Sequence, residues 1–150
     1  MGTVILTIIA GLLGTAGMTF VMWLIHRSGI ANADMVRAIG SMFTSSIEDA
    51  LPPGIIIHFI VGSIIAFFYV ILISLFGPTS VAATIGTGAM ISLFHGVAFS
   101  FLLIIAVAEH HPMEQFRDAG FEVAIAHLVG HIIYGLIVGA VVGITGIRFF

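Results

Sequence analysis

His127 and His131 stand four residues apart in AIAHLVGHIIYGLIVGAVVG, Ala124 to Gly143, a stretch otherwise suited to hydrocarbon. On a helix that separation puts both imidazoles on one face, about 6 Å apart along the axis, where two rings can grip one metal ion. Leu128 occupies the place that a glutamate general base takes in an H-E-x-x-H metalloprotease, so that chemistry is missing. Two further histidines, His58 in IIIHFIVG and His95 in ISLFHGVAFS, lie in equally apolar surroundings. An ionisable group at membrane depth costs a few kcal/mol when charged, so each imidazole is expected to be uncharged and turned toward other helices or water.

Three chemistries suit four such groups. Each His can act as polar glue, hydrogen-bonded to a neighbouring helix for roughly 0.6 kcal/mol per pair. Alternatively His58, His95, His127 and His131 can ligate a transition metal, or two on different helices can hold a b-type haem from both faces. Third, they can form a titratable track for protons or a small cation, with Glu122, Asp118 and Asp49 at its mouth. Counted inward at about 1.5 Å per residue, His58 and His127 lie about 6 to 8 Å deep, His131 about 14 Å and His95 about 18 Å. That pairs His58 with His127 and His95 with His131. Proton or cation handling ranks ahead of metal or haem binding, and an accessory subunit of a membrane complex needs neither. No nucleophile and base pair is readable, so an enzyme is the lesser expectation.

The remaining histidines carry less. His26 ends an apolar run beside Arg27 and is expected to reach the interface, while His110 and His111 precede Pro112 in a loop and are expected to be solvated. Loop metal binding through His110, His111, Glu109 and Glu114 has no diagnostic spacing. The seven methionines lack an M-x-x-M relay, and Met18, Met22 and Met90 read as adaptable packing.

These side chains need elements to hold them, and composition says which. Hydrophobic residues make up 60% of the 150 and charged ones only 7%, with a mean hydropathy of +1.27, which describes a membrane protein. A net charge of -3 offers no basic stripe for nucleic acid, and the absence of cysteine excludes disulfides and thiolate metal sites. The predicted fold is all-α, a four-helix transmembrane bundle with spans near 3–25, 54–76, 81–107 and 122–146, forming a single domain. The first run has no basic n-region and no clean cleavage site, so it reads as a span.

Polar loops from Arg27 to Pro53 and from Glu109 to Gly120 hold Arg27, Arg37 and Arg117, against Arg148 alone on the other face. The arginine bias predicts an inner (plasma) membrane protein with cytoplasmic loops and both termini outside. In the first loop Met35, Ile39, Met42, Phe43 and Ile47 recur at helical spacing, with Asn32 available as N-cap and Asp34 near the positive dipole end. This predicts a short helix lying in the interface or packed on the end of the bundle. Asp49-Ala50 precedes His58 as Asp118-Ala119 precedes His127, a repeat at an offset that suggests parallel halves. Gly135, Gly139 and Gly143 form a smooth strip, expected inside the bundle or at a homodimer face.

GLLGTAGMTFVM (Gly11 to Met22), ADMVRAIGSMF (Ala33 to Phe43), IIIHFIVG (Ile55 to Gly62), AEHHP (Ala108 to Pro112) and HLVGHIIYGLIVG (His127 to Gly139) resemble small four-span proteins of the YagU-like and related families of unknown function. The resemblance implies a compact inner-membrane bundle with histidines in its second and fourth spans, and it transfers no catalytic residue.

Overall fold

A computed structural model describes residues 2–102 and 108–150. Among the described residues six α-helices follow one another: α1 (Gly2–Arg27), α2 (Met35–Thr44), α3 (Leu51–Phe76), α4 (Val81–Leu102), α5 (Glu114–Arg117) and α6 (Phe121–Thr145). A 3-10 turn, Ala108–His110, precedes α5. The described residues contain no strand. Four of the helices, α1, α3, α4 and α6, are long and apolar enough to cross a membrane. The third span was expected to reach 107, and its last part, 103–107, lies outside the described residues.

Local chemistry sets the ends. Pro52 and Pro53 sit in the first turn of α3, where their missing N–H groups are not needed, so the helix starts at Leu51, ahead of the expected 54. Gly77 and Gly146 close α3 and α6 in the left-handed conformation, at φ 60° and 67°, and send their N–H groups back to Ile73 and Val142. The N-cap of α2 is Asp34, whose Oδ1 accepts from Arg37 N at 3.2 Å. The expected cap, Asn32, instead donates to the Gln115 carbonyl at 2.8 Å and ties the two loops together.

The long helices are sorted inside out. Bulky side chains such as Phe20, Ile56, Ile60, Phe68, Met90 and Phe94 are exposed, whereas Thr7, Thr15, Thr84, Ser92 and Ser100 are buried. In hydrocarbon the gain comes from close backbone approach, which small residues allow. Helix α4 buries Thr84, Gly88, Ser92, Gly96 and Ser100, one small residue every turn, against α6. A Cβ on Gly139 would meet the Thr84 carbonyl at 2.8 Å, and one on Gly143 would meet Val81 Cα at 3.2 Å. The α6 glycine strip is therefore used inside the chain and is not free to form a dimer face. Gly11 brings α1 within the same range of Ser63 on α3.

Of its two expected descriptions, helix α2 shows packing against another helix. Its small face packs on the start of α3, where Gly40 lies against the Ala50 carbonyl and Gly54 against that of Val36. Its other face leaves Met42 and Phe43 exposed. Among the described residues the order long, short, long runs twice, as α1-α2-α3 and α4-α5-α6. Packing breaks the symmetry, since α1 lies along α6 while α4 meets α3 only lightly.

Candidate functional site

The small-residue seam between α4 and α6 puts two histidines face to face. Gly96 has no side chain where His131 needs room: a Cβ there would meet His131 Cβ at 2.9 Å. The preceding residue, His95, brings its ring to 4.7 Å from that of His131, tilted by 53°. From α3, Tyr69 places its hydroxyl 2.9 Å from His95 Nδ1. A phenol both donates and accepts, so this bond survives a change of imidazole tautomer. Tyr69 also packs edge to face on Tyr134 at 5.3 Å, and Tyr134 donates to the Gly62 carbonyl at 2.6 Å. A chain of polar groups therefore passes from α6 through α4 to α3. Beyond Tyr69 the interior holds fully buried Val70, Ile73, Val138 and Val142, with Thr7 and Thr84 as its buried hydroxyls.

His127 lies one turn from His131, toward the loops. Its Nδ1 donates to the Val123 carbonyl at 2.8 Å, because a carbonyl can only accept. That fixes the ring proton on Nδ1 and leaves Nε2 as an acceptor. His127 lines a cavity of about 180 Å³ among α2, α4, α5 and α6, together with Asn32, Ser100, Gln115, Phe116 and Asp118. Ser100 Oγ is buried there with no partner among the described residues. A buried hydroxyl without a protein partner is the kind of group that ordered water satisfies, and the cavity has room for a few molecules. His58 is buried on α3, and its Nε2 also lacks a partner.

The seven expected site residues are thus brought together in part. His95 and His131 come into contact, while His127 and Asp118 share the loop-side cavity. Asp49 is exposed, its N–H bonded to Ser46 Oγ, and does not line that cavity. Glu122 is exposed, with its carboxylate against Gly120 at the start of α6, where it complements the helix dipole. Among the described residues no three His, Asp or Glu side chains converge to hold a metal ion. The His95 and His131 rings are in direct contact, so no porphyrin plane fits between them.

His111 was expected in solvent and is buried instead, 3% exposed. Its Nδ1 accepts from Met113 N at 3.1 Å, which leaves the ring proton on Nε2 to donate to the Ala38 carbonyl of α2 at 2.9 Å. Both ring nitrogens are satisfied, and the second loop is pinned to the first. Tyr69, Tyr134 and Ser100 were missed at the level of sequence. The one available signal was the four-residue row from Thr84 to Ser100, readable as an interior face once serine and threonine count as small.

No curated protein and no solved structure matches the chain. A family model does, over residues 1–148. The chain belongs to the family of unknown function DUF6789.

Proposed function

We propose that this protein is a multi-pass inner-membrane protein that handles protons through an intramembrane histidine cluster, reached from its cytoplasmic loops. One observation carries the reading: the hydrogen bond between Tyr69 and His95, continued by the contact of His95 with His131. Groups that can donate and accept in either direction, in contact across three helices, are what a proton relay needs. The cavity beside His127 supplies an entry from the loop side. A small cation would need several oxygen ligands, and the cluster offers mainly imidazole nitrogen, so protons suit it better.

The four long helices form a bundle whose termini lie outside the cell, following the arginine bias of the loops. The kinship with YagU-like proteins belongs to the same proposal and rests on the short motifs quoted above. The valine and isoleucine side chains beyond Tyr69 interrupt the relay on the terminal side, so passage across the membrane requires water to enter among them.

Proteoliposomes enclosing a pH-sensitive dye test the function. Wild-type protein should dissipate an imposed pH gradient faster than empty vesicles, and both His131→Ala and Tyr69→Phe should slow it. Dissipation equal to that of empty vesicles, or unchanged in both variants, overturns the reading.

A further inference from the structure

Away from the histidine chain, a cleft of about 320 Å³ opens where the end of α1 meets the starts of α2 and α3. Its lining is apolar at Met22, Trp23, Leu51 and Ile55 and polar at His26, Arg27, Asp34 and Arg37. Two of the protein's four basic residues therefore meet at one place. The Arg27 guanidinium lies 5.8 Å over the Trp23 ring, at the end of a span where aromatic residues mark the membrane surface. Arg37 binds Asp34 through Nη1 at 3.1 Å. Its Nε and Nη2 have no hydrogen-bond partner among the described residues. His26 Nδ1 is buried in the same cleft, also without a partner.

A second depression shares His26, Asp34 and Arg37 with this cleft and adds Glu48 and the amide side chains of Asn32 and Gln115. The two together thus hold two guanidinium and two carboxylate groups, a balance that suits a zwitterion better than an anion. Apolar side chains, guanidinium and imidazole donors, and carboxylates are thus gathered side by side. Those are the three kinds of partner that the acyl chain, phosphate and ammonium of an aminophospholipid need.

We propose that the cleft is a binding site for a phosphatidylethanolamine-type lipid. The phosphate is held by Arg27, Arg37 and His26, the ammonium by Glu48 and Asp34, and one acyl chain lies along Trp23 and Ile55. A choline headgroup has no N–H to give the carboxylates, and a glycerol headgroup has no positive charge for them, so both should bind less well.

Native mass spectrometry of the intact protein, released from membranes holding equal amounts of dioleoyl phosphatidylethanolamine, phosphatidylglycerol and phosphatidylcholine, reads the selectivity. Wild type should retain phosphatidylethanolamine over each of the others by at least about fivefold, the ratio an exposed ion pair near its upper strength supplies. Glu48→Gln should erase the preference over phosphatidylcholine while lipid is still retained. Arg37→Gln should lower retention of all three, and Arg27→Gln does the same without touching the α2 cap. Equal retention of the three lipids, a preference for phosphatidylglycerol, or selectivity unchanged in these variants overturns the proposal.

Discussion

Tyr69 is worth more to the proposed relay than its single hydroxyl suggests, because it joins α3 to a histidine on α4 while its ring is held by Tyr134. Tyr69→Phe keeps the aromatic packing and removes only the oxygen, leaving His95 Nδ1 without its partner. The expected cost is about 1 to 3 kcal/mol, the usual penalty for orphaning a buried polar group. Nitrogen-15 NMR of labelled histidine in bilayers should show a changed tautomer balance at His95, with His127 unaltered because its bond lies within its own helix. An unchanged His95 spectrum would mean that the phenol does not govern the ring. The histidine spacings were legible in the sequence, and the contact of His95 with His131 follows from their matched depth. The partners were not, because spacing gives a height along each helix, whereas a hydrogen bond between helices also depends on how each is rotated about its axis.

At the scale of elements, two glycines on α4 make opposite predictions from the same chemistry. A Cβ on Gly88 meets the Gly135 carbonyl and, at 3.0 Å, Gly139 Cα, all backbone that cannot step aside. Gly86 faces open space. Gly88→Val should therefore destabilise the α4 and α6 pair by about 1 to 3 kcal/mol, the usual cost of overpacking, whereas Gly86→Val should be nearly neutral. Thermal unfolding of the two variants in the same detergent measures the difference, and equal midpoints would contradict the seam. The glycines of α6 were readable as a packing strip. The matching row on α4 was hidden by residue type, since Ser and Thr look polar although inside this seam their small size is what counts. The loops obey the same lesson. His111 looked like a solvated loop residue, yet backbone groups on both sides of it need partners once α2 folds over them. His111→Ala should free the second loop from α2, and limited proteolysis should then cut after Arg117 faster than in wild type.

For the molecule as a whole, the direction of insertion decides from which side the proposed relay would fill. Four apolar segments were legible from hydropathy alone, because the bilayer imposes their length. Their inside-out sorting was not, since it depends on which face each helix turns to its neighbours. Orientation rests on the arginines, three in the loops against Arg148, which donates to the Pro78 carbonyl at 3.3 Å at the opposite end. With no cysteine in the chain, single introduced thiols report sidedness without background. Asp49→Cys and Glu114→Cys, both at exposed loop positions, should react with a membrane-impermeant maleimide only in inverted vesicles. Thr79→Cys, exposed in the turn between α3 and α4, should react only in intact spheroplasts. The reverse pattern would turn the protein over, placing the His127 cavity and the cleft proposed for lipid on the outer face and making the external solution the source of protons for the proposed relay. Labelling of all three from one side would be worse for the proposal, because the loops and the turn could not then lie at opposite ends of four spans.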